Sequence, residues 1–263
     1  LEREVFSDEA EIHAVVSCMA SRSGRPRDAW AIDHQAHRNV LEAAVGGSVR
    51  RFMLLSAICV QKPRLAFQHA KLAFERELMD APIEWVIVRP TAFFKSLSGQ
   101  LERVRAGRPF LVFGDGTLTS CKPIGEADLA RFMVDVLHDP SRSGRILPIG
   151  GPGPALTAYQ HGELLSAALG KPLRIRRVPV ALMDTVVAVL SWLGRWFPAL
   201  EDRAELARIG RYYATESMLV WNEHQQHYDA DATPEFGADT LGAYYERLAR
   251  GEEHDERGEH ANF

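Results

Sequence analysis

The sequence predicts an α/β fold: an open parallel sheet, doubly wound by helices on both faces, with a smaller lobe toward the C-terminus. Three observations carry it. Short β-like runs alternate with helical patterns through the first half of the chain. Several of those runs are apolar without alternation, as strands covered on both faces must be. Beyond Pro90 the pattern loosens into mainly helical segments with no repeat and no low-complexity linker.

His13-Ala14-Val15-Val16-Ser17 reads as the first buried strand. A helix over residues 27–45 follows, with Ala29, Ile32, Ala36, Val40 and Ala43 at apolar positions and Gly46-Gly47 as its stop. Residues 52–56 form a second buried strand, 64–79 a second helix, and 83–88 a third strand that ends at Arg89-Pro90. After this β-α-β-α-β unit come a helix over 96–106, a strand over 110–113, a Gly114-Asp115-Gly116 turn and a helix over 126–137. A strand over 145–149 closes on Gly150-Gly151-Pro152, and Thr157 with Gln160 makes a capping box for a helix ended by Gly170. From residue 173 the expectation is helix with aromatic and polar loops. The predicted division is 1–150, 151–250 as a mainly helical lobe, and 251–263 as a charged, disordered tail.

Composition excludes several functions. With Lys+Arg 31 against Asp+Glu 35 and a net charge of -4, the chain has no global attraction for nucleic acid or for an anionic membrane, and neither partner is favoured. Cys18, Cys59 and Cys121 lie far apart, without a C-x-x-C pair, so neither a disulfide framework nor a zinc or iron–sulfur site is expected, and a reducing, cytoplasmic compartment fits. The longest apolar stretch, residues 178–200, is broken by Asp184, Arg195 and two prolines and falls short of a spanning helix. The opening residues show neither an initiator Met nor a signal-peptide layout, so a start within a domain is the expectation.

In an open parallel sheet the ligand lies outside the carboxyl ends of the strands. The residues there are Ser17-Cys18-Met19-Ala20-Ser21, Ser56-Ala57-Ile58, and the run from Arg89 and Pro90 through Thr91 to Phe93 and Phe94. Small and hydroxylated side chains at two tips suit close approach of a ribose or nicotinamide, or simply turn the chain. Lys71 is the most informative residue: by helical periodicity it shares a core-facing stripe with Phe67, Phe74 and Leu78. It either snorkels to water or holds an ammonium at the sheet edge against ribose hydroxyls. His34 and His37 read as surface histidines, Asp33 with His37 as a helix-stabilising i,i+4 pair, and no metal site is expected.

A lysine four residues after an aromatic, on the helix that follows a Ser-tipped strand, resembles the Tyr-x-x-x-Lys motif of short-chain dehydrogenases/reductases. Ser56 matches that superfamily's serine, and Asp33, in DHQAHRNVLEAA, stands where extended members carry an Asn. Phe67 replaces the tyrosine, so carbonyl–alcohol chemistry through a phenol is not available. The stretches LLSAICVQKPRLAFQHAKLAFERELM, VRPTAFFKSLSGQ, FGDGTLTSCKPI, ILPIGGPGPALT, GRYYATESMLVW and YDADATPEFG resemble divinyl (proto)chlorophyllide 8-vinyl reductases of the NADPH-using type, atypical members in which Phe at this position is usual. The likeness runs from about Val15 to about Leu248.

That resemblance implies a Rossmann-like fold and NADPH-dependent reduction of an 8-vinyl group on a tetrapyrrole. It implies Lys71 at the nicotinamide ribose as the catalytic residue, and Ser17, Met19, Ser56, Pro90 and Thr91 lining the cofactor. Phe67, Phe93 and Phe94 would give apolar surface to the pigment. The proton donor stays open among Lys71, bound water, Tyr212 and Tyr213. It further implies that the first strands and the glycine-rich turn of the fold precede residue 1, because no G-x-x-G-x-x-G occurs before Val15. Trp192, Trp196 and Phe197 would be a pigment wall, a peripheral contact with the photosynthetic membrane, or plain core. A non-catalytic NAD(P)-binding regulator or assembly factor, and an isoflavone-reductase-like enzyme on a small substrate, are the alternatives.

Overall fold

The structure, a computed structural model, describes residues 12–253. The chain divides into two compact units, one of Leu1–Pro90 with Arg131–Pro148 and one of Thr91–Ala130 with Ile149–Phe263. The expected first lobe of residues 1–150 therefore loses residues 91–130 to the second unit. The reason is strand pairing: Phe110–Phe113 hydrogen-bonds in parallel with Ile175–Val178, not with the main sheet.

The first unit is built on a four-stranded sheet of order β1-β2-β3-β6: β1 (Ala14–Ser17), β2 (Arg51–Leu55), β3 (Glu84–Pro90) and β6 (Arg145–Ile149). β1, β2 and β3 run parallel, with Ser17 level with Leu54 and Leu55 level with Val88. Phe52, Met53 and Leu54 of β2 are all buried, as a central strand covered on both faces requires. Between β1 and β2 the chain runs through the turn Pro26–Asp28, a π-helical run Ala29–Ala36 and helix α1 (His37–Gly46). Between β2 and β3 stands helix α2 (Ala66–Asp80). Gln68 starts it: its Oε1 accepts from the N–H groups of Arg64 and Leu65, and its Nε2 donates to the carbonyl of Cys59. Leu41, Ala44, Phe52, Phe74, Leu78 and Ile87 close the core beneath.

The second unit holds three small two-stranded sheets. β4 (Phe110–Phe113) pairs with β8 (Ile175–Val178), β5 (Ser120–Cys121) with β7 (Leu156–Thr157), and β9 (Val220–Asn222) with β10 (His227–Asp229). Helix α3 (Leu101–Arg105) follows a 3-10 turn over Phe94–Gln100, so the single helix expected over 96–106 is a tighter 3-10 piece followed by a short α-helix. Helix α4 (Glu126–His138) links the units in sequence; α5 (Ala158–Ala168) carries the expected Thr157–Gln160 capping box. Then come α6 (Val180–Gly194), α7 (Pro198–Thr215) and α8 (Leu241–Arg250). The core gathers Phe94, Leu101, Phe110, Leu165, Tyr244 and Tyr245.

The expectation of helix with aromatic and polar loops after residue 173 is corrected by β8, β9 and β10. β8 reads Ile-Arg-Arg-Val, a strand only because β4 offers it an edge, and the β9–β10 turn passes through Gln226 at φ 54, without the Gly that signals a hairpin. The Gly150-Gly151 loop is a packing device: a Cβ on Gly151 would stand 2.0 Å from the carbonyl oxygen of Pro123. Of the predicted tail, residues 254–263 lie outside the described residues.

Candidate functional site

Within the first unit, Ser17, Ser56 and Pro90 end or follow three adjacent strands at the carboxyl edge of the sheet, and the N–H of Ser56 donates to Val88 O at 2.8 Å. Ser17 is buried and its Oγ has no hydrogen-bond partner. Buried hydroxyls are almost always satisfied by protein or solvent, which singles this one out among the strand tips. Met19, two residues on, is half-buried.

Lys71 is buried, as the stripe on α2 requires, and its Nζ lies 2.9 Å from Asp33 Oδ1. Asp33 in turn accepts from Ser21, at 2.5 Å from the hydroxyl and 3.4 Å from the N–H. Asp33 is thus not the helix-surface partner of His37 that its spacing suggested. It sits in the π-helical run, which turns it inward toward α2, and π-helical segments occur often at functional positions. The segment just past Ser17 is therefore tied through Ser21 and Asp33 to Lys71.

His37 is also corrected: it is buried rather than on the surface, tilted against the ring of Phe74 at 4.8 Å, with Nδ1 2.9 Å from Ile32 O. Burial holds its imidazole below the ordinary 6.5; the Ile32 hydrogen bond opposes this, and the nearby Lys71 charge adds to the lowering. Its Nε2 has no partner.

A second buried group lies one turn along α2. Glu75 accepts from the Ser56 hydroxyl at 2.5 Å and pairs with Arg89 of β3, whose Nε is 3.2 Å away and whose Nη2 closes the fork. Ser56 is thereby fixed by protein, which leaves Ser17 as the free hydroxyl of the two strand tips. The sequence reading missed Glu75 and Arg89 as a pair. A signal existed: a carboxylate four residues beyond Lys71 falls on the same inward stripe, where a charge requires a partner. Phe67 is half-buried one turn before Lys71 and offers no hydroxyl.

Thr91, Phe93 and Phe94 belong to the second unit. The Thr91 hydroxyl donates to Lys122 O and its N–H to Ile149 O at 2.9 Å, while Phe93 is half-buried and pairs in a bridge with Ile124. Phe94 is buried in the core against Tyr244, ring centroids 5.5 Å apart. Its aromatic character is accounted for by packing. Tyr212 is buried and Tyr213 exposed. Among the described residues no group of three or more His, Cys, Asp or Glu could hold a metal ion.

The family model described as NAD(P)H-binding matches residues 5–140. The chain is 49% identical over its whole length to the divinyl chlorophyllide a 8-vinyl-reductase, chloroplastic, of Cucumis sativus, and 49% identical over 94% of its length to the protein so named in Oryza sativa subsp. indica. It spans 64% and 62% of those two relatives, less than two thirds of each. Among solved structures, it superposes with TM-score 0.64 and 16% identity on the NADPH-dependent quinone oxidoreductase of Escherichia coli in complex with NADPH, covering 94% of this chain and 80% of that one. At that identity the likeness speaks for the fold, which is the Rossmann-like α/β fold the sequence predicts.

Proposed function

Because the chain belongs to the NAD(P)H-binding family, we propose that it takes part, with NADPH, in reducing the 8-vinyl group of a divinyl chlorophyllide or protochlorophyllide to ethyl. The observation that carries the cofactor half of this reading is the buried, unpartnered hydroxyl of Ser17 at the strand tip, four residues before Ser21, which joins Lys71 on Asp33. Two such donors, a hydroxyl and an ammonium, suit the hydroxyls and carboxamide of a nicotinamide riboside. The relatives' names at 49% identity support the substrate half.

When bound, NADPH supplies the hydride. Lys71, fixed by Asp33, orients the ribose, and Ser17 gives the nicotinamide side its hydrogen bond. Met19 and Pro90 line the same edge, and Ser56, locked by Glu75, keeps the second strand tip in place. A vinyl group conjugated to a macrocycle accepts hydride at its outer carbon and a proton at the inner one. No carbonyl oxygen needs protonating in that reaction, which suits Phe67 where a catalytic phenol would stand. Thr91 and Phe93 follow Pro90 directly in the chain, and Phe93 is the aromatic we assign to the pigment.

Incubation with NADPH and a divinyl chlorophyllide tests the reading. The expected product has gained two hydrogens by mass, with its main absorption band moved to shorter wavelength as conjugation is lost. Phe67→Tyr should leave the rate unchanged. NADPH consumed without that mass change would discard the substrate, and a rate raised by Phe67→Tyr would discard the mechanism.

A further inference from the structure

Helix α6 turns its apolar side outward. Val180, Met183, Val187 and Leu190 are half-buried along the side that meets α7. Leu182, Val186, Val189 and Trp192 are exposed, and Trp196 and Phe197 continue the exposure past the helix end, with Trp196 73% exposed. The one charged residue of the helix, Asp184, is paired with Arg211 of α7. A contiguous apolar face of this kind marks an interaction surface. No described helix is long and apolar enough to cross a membrane, so α6 can lie on a bilayer but not span one.

The residues that lead into α6 supply an independent observation. Lys171, Arg174, Arg176 and Arg177 are all exposed, and none forms a salt bridge with a described residue. Two concavities of the same unit are lined by Arg176 and Arg177 in one and by Lys171 and Arg174 in the other, with no carboxylate in either lining. Asp115, whose carboxyl is held low chiefly by Thr117 and only least by Arg177, gives Arg177 no ion pair. β8, which carries Arg176 and Arg177, reaches α6 through Pro179 alone.

We propose that the outer face of α6 and these four cations form a docking surface for an anionic lipid bilayer. The tryptophans and Phe197 enter the headgroup layer and the cations meet lipid phosphates, the arrangement of an interfacial helix beside a basic cluster. Charge complementarity selects this occupant: the four cations meet no carboxylate in the lining of either concavity, and lipid phosphates supply the missing anions. The inference does not depend on the reductase reading.

Flotation with vesicles of phosphatidylcholine, with and without phosphatidylglycerol, is the test. The protein should float with the anionic vesicles, be released by salt, and stay largely behind with phosphatidylcholine alone. Each interfacial cation is worth about fivefold in partition, so Arg176→Gln with Arg177→Gln should weaken binding about 25-fold. Trp192→Ser with Trp196→Ser should abolish it while circular dichroism and melting are unchanged, because both side chains are exposed. Equal flotation with both lipids, flotation with neither, or a solution dimer dissolved by the tryptophan pair would overturn the proposal.

Discussion

Helices α2 and α6 are each 15 residues long, and each breaks the amphipathic rule in the opposite sense. Helix α2 points Lys71 and Glu75 inward, where each meets a partner from another element: Asp33 for the lysine, Arg89 and Ser56 for the glutamate. Helix α6 points Trp192, Val189, Val186 and Leu182 outward, where no described residue covers them. Neither departure serves stability. A buried ion pair scarcely offsets its desolvation, and a row of exposed apolar residues invites aggregation. The proposed functions account for both departures, with a nucleotide for the first set of side chains and a lipid surface for the second.

The two helices should differ most at Glu75. Glu75→Ala leaves the Arg89 guanidinium and the Ser56 hydroxyl without their buried partner, and urea unfolding should show a loss of about 3–5 kcal/mol. A loss below about 1 kcal/mol would mean that water replaces the carboxylate and that α2 is less buried than described. The second unit manages a buried polar group differently, by neutralising it. Burial pushes the His161 imidazole down to about 4 and the neighbouring Cys121 thiol up to about 12, with Sγ and Nε2 3.7 Å apart. Because the folded value lies below the ordinary 6.5, the unfolded chain binds the extra proton between the two. The stabilisation is complete above about pH 6.5 and is lost as pH falls toward 4, by about 3 kcal/mol in all. Unfolding curves at pH 7, 5.5 and 4 for the wild type and His161→Gln should differ in this slope; identical slopes would locate the titration elsewhere. The smallest effect belongs to α6. Trp192→Ser should change stability by no more than about 0.5 kcal/mol despite the size of the side chain, since surface changes rarely exceed that. A larger loss would show that the tryptophan packs.

Much of this was legible in the sequence, and the boundary is instructive. Runs such as Phe52-Met53-Leu54, the glycine stop after α1 and the Thr157–Gln160 box depend on near neighbours, and the elements appear where those signals stand. The inward face of Lys71 was readable for the same reason: periodicity fixes direction. Its partner was not. Asp33 lies on another element, and its i,i+4 spacing to His37 gave a local explanation, whereas Asp33 in the π-helical run meets Lys71 and His37 at the start of α1 is buried against Phe74. Likewise β8 is a strand only in the presence of β4, and residues 91–130 join the second unit through that same pairing. Partners contributed by distant elements are where local reasoning stops.

If Lys71 and Ser17 hold the nicotinamide riboside as proposed, NADPH titration followed by nucleotide fluorescence will show it. Lys71→Met keeps the length and apolar stem and removes the charge; Asp33→Asn beside it spares the protein an unpaired carboxylate. A lost charge-assisted hydrogen bond of about 1.5–3 kcal/mol corresponds to roughly 13- to 160-fold weaker binding, and Ser17→Ala should add a smaller loss. If the folded double variant binds NADPH as tightly as the wild type, Lys71 is a structural ion-pair partner and the assignment fails.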